Sequence, residues 1–136
     1  MTPLARLQLV AIDCPDAHAL ARFYSALTGW PIDGDGPDED WIELVSPGGP
    51  TIAFQRVSGY QPPVWPPVEG AQRPMAHLDF QVADLDAAVA DAIALGATLA
   101  PEQRLEPVRV MFDPAGHPFC LCLTSDGAGE DGGGDR

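Results

Sequence analysis

The sequence predicts an α+β domain built from two similar halves, each running strand, capped helix and then further strands. Three observations predict it. An aspartate stands ahead of a helical apolar stripe twice, at Asp16 and Asp84, 68 positions apart. Leu9 and His77 each lie seven residues before their aspartate, inside an apolar strand-like run. Each half then closes on two β-rich runs joined by a turn-rich segment, so the order of elements repeats.

The elements follow in order. RLQLVAID (6–13) reads as the first strand. Asp16 is placed to cap a helix by accepting from an exposed backbone N–H. Leu20, Phe23, Tyr24 and Leu27 recur at i, i+3, i+4, i+7 and make its apolar stripe. Gly29 ends it, as a left-handed cap would. The acidic run DGDGPDED (33–40) reads as a turn region, with room for a short strand around IDGDG. WIELV (41–45) and TIAFQRV (51–57) read as a hairpin across SPGGP.

Residues 58–74 carry five prolines and two glycines, which excludes a helix and discourages a central strand. Seventeen residues is long for a plain connection, so this segment reads as a functional loop or a linker. Tyr60 and Trp65 are expected to pack over a sheet edge or over the opening of a pocket. MAHLDFQV (75–82) restarts the pattern as a strand, and Leu85, Ala88, Val89, Ala92 and Ile93 form the second stripe, closed by Gly96. A short strand at Thr98–Leu99 is possible. VRVMF (108–112) and PFCLCL (118–123) form a second hairpin across DPAGH. The tail from Ser125 (125–136) is glycine and acid, with nothing to bury, and is expected to be mobile.

Composition narrows the function. The chain has 136 residues, enough for one domain with a real core, and is 46% hydrophobic. Acids outnumber bases 20 to 7, every base is arginine, and the formal net charge is -13. Such a field repels phosphate backbones and anionic membrane surfaces, so no nucleic acid and no membrane partner is expected. No run approaches the roughly 20 apolar residues of a membrane span, and no secretion signal is read at the N-terminus. Cys14, Cys120 and Cys122 cannot all pair within one chain, and the simpler expectation is a reduced, cytoplasmic protein.

The segments DAHALARFYSALTGW (16–30), HLDFQVADLDAAVADAIALGA (77–97) and DPAGHPFCL (113–121) together resemble the vicinal oxygen chelate superfamily, the glyoxalase, bleomycin-resistance and dioxygenase group. The chain is most similar to the glyoxalase-like domain branch. The resemblance spans roughly residues 5–124. It implies two βαβββ modules, about 5–57 and 75–124, joined by the 58–74 linker into a pseudo-twofold domain (1–124) around a central cup. A homodimer is also implied.

Metal-dependent members of that superfamily place a histidine or glutamine on a module's first strand and a glutamate on its last. Carried over by position, these sites fall on Leu9, Gln55, His77 and Cys120. Leu9 has no donor atom, Gln55 offers only an amide, and Cys120 replaces the glutamate. No catalytic metal and no cofactor are therefore expected; were a metal bound, His77, Gln55 and Cys120 would hold it. Alternation puts Leu9, Ala11, Ala53, Gln55, Val57, His77, Asp79, Gln81, Cys120 and Cys122 on the cup face. Val10, Ile12, Ile52, Phe54, Leu78, Phe80, Val82, Phe119 and Leu121 then pack under the helices.

His77 is the best catalytic candidate, as a general base near neutral pH, or else a structural histidine paired with Gln55 or Asp79. Asp79 is placed to hold its imidazole. Cys120 is a nucleophile only if a positive neighbour lowers its pKa, and otherwise a small buried hydrophobe. Trp41, Trp65 and Arg56 are rim candidates for an aromatic or carboxylate-bearing small organic ligand. The expectation is a small-molecule binding protein; the alternative is a metal-dependent lyase, isomerase or dioxygenase.

Overall fold

The computed structural model describes residues 3–34 and 40–123. Most of the acidic run and the tail expected to be mobile lie outside the described residues. The chain divides into two compact units, Met1–Gln61 and Pro62–Arg136. The second unit thus takes in most of the proline-rich segment.

The first unit holds β1 (Leu9–Cys14), α1 (Ala17–Thr28), β2 (Trp41–Glu43) and β3 (Thr51–Arg56), in a sheet ordered β1-β3-β2. β1 runs parallel to β3 and β2 antiparallel to it. Asp16 caps α1 as expected, its side chain accepting from the Ala19 N–H at 3.0 Å. Gly29 ends α1 at φ 79°, a conformation costly for any residue with a Cβ. The short strand expected near IDGDG is reduced to a single bridge between Ile32 and Leu44.

β1 starts three residues later than the apolar run suggested. Its partner β3 begins only after the SPGGP turn, and the last rung joins the Thr51 N–H to the Gln8 carbonyl. Among the described residues, Arg6 and Leu7 have no ladder to join. Three of the four stripe residues, Leu20, Phe23 and Tyr24, are buried, with Tyr24 stacked on Phe54 at 5.6 Å between centroids. α1 lies mainly over β3 and β2. Val10, expected under the helix, is therefore left 37% exposed on the outer strand.

The second unit contains the full set: β4 (Leu78–Val82), α2 (Leu85–Leu95), β5 (Thr98–Leu99), β6 (Val108–Phe112) and β7 (Pro118–Leu123), ordered β4-β7-β6-β5. Asp84 caps α2 by accepting from the Ala87 N–H at 3.0 Å. Phe119 is fully buried and meets Phe80 edge-on at 6.0 Å. The second stripe is covered less than its periodicity implied: Ala92 is buried, but Ile93 is 48% exposed. Alanines on the inner face let α2 approach the sheet while its larger residues stand at the margin.

The DPAGH turn is held by a buried carboxylate. Asp113 is 4% exposed and accepts from the N–H groups of Ala115 and His117 at 2.8 and 3.0 Å. Gly116 sits at φ 94°, where a Cβ would come within 2.9 Å of the Pro62 side chain. Glycine is required there on both counts.

Candidate functional site

The site is built where β4 begins beside β7. β7 starts at Pro118, directly after the turn, so the ladder runs only from Leu78, paired with Phe119. His77 stands one residue ahead of the first rung. The two-residue strand period returns its side chain to the side occupied by Asp79. His77 Nδ1 lies 2.8 Å from Asp79 Oδ1. An ionised carboxylate can only accept, so Nδ1 donates in this pair, and in the neutral imidazole Nε2 keeps its lone pair. That is the arrangement of a base or of a metal-ligating imidazole.

Asp79 is the ladder partner of Cys120, which brings the thiol to the same place. A ring nitrogen of His77, a carboxylate oxygen of Asp79 and Cys120 Sγ all lie within 4.8 Å of one another. Cys120 is 5% exposed. Burial first, and the adjacent Cys122 second, push its thiol up from 9.0 to about 11. Burial also raises Cys122. Little thiolate exists near neutral pH, so Cys120 does not act as a ready nucleophile.

The cluster opens on a cavity of about 290 Å³. Its lining includes the apolar Met75, Leu105, Val108 and Val110 and the more polar His77 and Cys120. Trp65 closes part of the wall and packs on the buried cluster of Ala100, Val108, Val110, Cys120 and Cys122. Arg104 also lines the cavity, its guanidinium carbon 5.2 Å from the Trp65 ring centroid.

Gln103 anchors the segment that carries Arg104 and Leu105. Its Oε1 accepts from the Val110 N–H at 2.8 Å, and its Nε2 donates to the Val110 and Ala100 carbonyls, each at 2.9 Å. The side chain thus replaces a missing strand neighbour and ties the connection after β5 to β6. Neither Gln103 nor Arg104 was singled out from the sequence. The segment APEQRLEP has no periodicity, and its one signal is a long amide between two prolines.

Of the residues expected at the site, His77, Asp79, Cys120 and Trp65 come together in the second unit. Trp41, Gln55 and Arg56 belong to the first. Trp41 and Gln55 are ladder partners. Trp41 Nε1 donates to Glu43 at 2.9 Å, and the Gln55 amide donates to Asp13 at 3.1 Å. Arg56 pairs with Asp40 at 3.4 Å and lines a recess with Pro15, His18 and Arg22.

The ladders also refine the internal repeat. The 68-position offset matches Ala11 to Asp79 and Asp13 to Gln81. Their partners are Ala53 and Gln55 in one sheet, Cys120 and Cys122 in the other. Gln55 therefore corresponds to Cys122, and Cys120 to Ala53.

The donor set can be tested against a metal. Zinc takes imidazole, carboxylate and thiolate at about 2.0–2.3 Å, which sets neighbouring donors about 3.5 Å apart. The donor atoms of His77, Asp79 and Cys120 lie within 4.8 Å of one another, an upper limit somewhat wider than that spacing. One nitrogen, one oxygen and one sulfur suit a borderline-soft ion and do not suit an oxygen-rich octahedral one.

Comparison with known proteins agrees with this architecture. The family model described as glyoxalase-like domain matches residues 9–122. No match is found among curated proteins. Among solved structures, the chain is similar to a glyoxalase/bleomycin resistance protein/dioxygenase family enzyme from Burkholderia phytofirmans PsJN, at 22% identity and a TM-score of 0.66, covering 88% of this chain and 98% of that one. It is similar to a possible glyoxalase from Bacillus cereus, at 12% identity and a TM-score of 0.64, covering 88% and 99%. It is also similar to a glyoxalase-related enzyme from Fulvimarina pelagi, at 18% identity and a TM-score of 0.63, covering 89% of each chain. At these identities the structures speak to the fold alone. With the family model spanning both modules, this chain belongs to the glyoxalase-like domain family of the vicinal oxygen chelate superfamily.

Proposed function

We propose that the chain is a small-molecule binding protein whose ligand sits in the cavity of the second module, and that it works without a catalytic metal. The observation that carries this is the cavity of about 290 Å³, lined mainly by apolar residues together with His77, whose ring is held by Asp79. Apolar walls with a few convergent polar groups are the usual make-up of such sites. An apolar cavity of about 150 Å³ already admits benzene, so a substituted single ring fits. Leu9 offers no donor at the family's ligand position, and the Cys120 thiol holds its proton at neutral pH. The missing donor at Leu9 weighs against a resident metal, and an ion at Cys120 would first have to displace the thiol proton. Trp65 reports occupancy directly. Titration with single-ring aromatics is expected to change tryptophan fluorescence in the wild type and not in Trp65→Phe. Equal responses from the two proteins would remove the cavity as the binding site.

A second reading rests on the His77, Asp79 and Cys120 cluster. These residues would hold zinc, which when bound would polarise a substrate oxygen, with the apolar wall positioning the substrate body. Near-stoichiometric zinc in protein purified without chelator, lost together with activity in His77→Ala, would put a metal-dependent enzyme in place of the first reading.

We also infer a homodimer. β1 and β4 are each the outer strand of their sheet. Leu7 and Met75, just before them, are 66% and 89% exposed. Edge strands flanked by exposed apolar residues suit pairing with a second copy. Light scattering at micromolar concentration checks this; a monomer mass would end it. Cys14, Cys120 and Cys122 form no disulfide, which suits a reducing compartment such as the cytoplasm. Among the described residues, no helix is long and apolar enough to cross a membrane.

A further inference from the structure

We infer that the second-module cavity selects a compact apolar monocarboxylate, and that Arg104 is the residue that recognises the carboxylate. This deepens the binding reading above and rests on it. Arg104 is the one arginine on the cavity wall among the described residues. His77 is the only other basic side chain there, and its Nδ1 is already engaged by Asp79.

The guanidinium is held rather than neutralised. Its carbon lies 5.2 Å over the Trp65 ring, a contact that orients a cation without cancelling its charge. Its single ion pair runs from Nε to Glu102 at 3.5 Å, between side chains that are 56% and 54% exposed. At that separation the pair is loose and mostly screened. The two terminal nitrogens have no hydrogen-bond partner among the described residues. They form the edge that accepts a carboxylate through two parallel bonds. Gln103 fixes the backbone that presents this edge.

The surroundings make the preference specific. The chain carries a formal charge of -13, so its general field disfavours anions. Carboxylate preference can come only from a local cation. Met75, Leu105, Val108 and Val110 also line the cavity and offer nothing to a second charge, so most of the rest of the ligand is apolar. The volume limits it to about one ring or a branched chain of similar size.

Calorimetry with three probes of nearly one shape tests this: benzoate, benzamide and benzylamine against the full chain at low salt. Wild type is expected to bind benzoate at least about tenfold more tightly than benzamide, the size expected for charge-assisted hydrogen bonds. Benzylamine should bind most weakly. Arg104→Gln should remove the preference and leave benzamide affinity within about twofold, and Arg104→Lys should keep part of it. The side chain is exposed, so neither change threatens folding, and circular dichroism checks that. Benzamide or benzylamine binding as well as benzoate would overturn the carboxylate assignment and leave the cavity reading standing. So would a benzoate preference that survives Arg104→Gln. Failure of all three probes to bind would remove the cavity reading and this inference with it.

Discussion

Replacing Cys120 by alanine should change how stability depends on pH in a way set by burial of the thiol. In the folded protein the thiol is pushed up from 9.0 to about 11, first by burial and second by Cys122. The unfolded chain releases this proton near 9, while the folded chain keeps it until about 11. Folded protein therefore binds more protons inside that window, and stability falls as pH rises through it. The contribution is fully present below about pH 9 and gone above about pH 11. Two units at about 1.4 kcal/mol each set the loss at roughly 2 to 3 kcal/mol. The side chain is 5% exposed, so solvent screens little of it. Urea unfolding of the wild type and Cys120→Ala, at pH steps from 8 to 11, gives the difference directly. The wild type should lose stability relative to the variant across the window and hold a constant difference below it. Parallel curves from pH 8 to 11 would mean that the thiol is not held in a desolvated environment. Iodoacetamide labelling of Cys120 at pH 7 should be correspondingly slow. Any ion taken up by the cluster must displace the same proton, so uptake should weaken tenfold for each unit of acidification.

Phe119→Ala should cost about 3–5 kcal/mol in urea unfolding, because Phe119 is fully buried and its removal also strips Phe80 of its edge-on partner. A loss below about 1 kcal/mol would mean that the second unit repacks freely. Gly116→Ala should cost about 1–3 kcal/mol, from the left-handed backbone and from the 2.9 Å approach of Pro62, and should lower the thermal midpoint. Gln103→Ala leaves the Val110 N–H without its acceptor and should cost about 1–3 kcal/mol. It should also raise the Kd for benzoate by at least about tenfold while changing that for benzamide little. Equal weakening of both would make Gln103 structural only.

The site was partly legible in the sequence. His77 beside Asp79, and Cys120 beside Cys122, follow from the two-residue strand period. Which cysteine meets which acid needs the ladder, because a shift of one rung exchanges Cys120 and Cys122 for their neighbours on the other face. Trp65 was visible as a large ring in a proline-rich segment, but not its partner. Arg104 and Gln103 left no periodic trace, since their roles depend on the Val110 backbone and the Trp65 ring. The second helical stripe misled at Ile93, because periodicity reports the apolar face of a helix and not how far the sheet beneath it extends.

The chain alone determined what is local. Asp16 and Asp84 as caps, Gly29 and Gly96 as stops, and the paired hairpins all depend on bonds or torsions within a few residues. Their recurrence along the chain was enough to declare a two-module α+β fold. Only the tertiary structure decided where β1 and β4 begin, which side chains meet at His77, and that a loop arginine stands over Trp65. Those outcomes depend on partners distant in sequence, and a single chain's pattern of polar and apolar residues does not encode such distances.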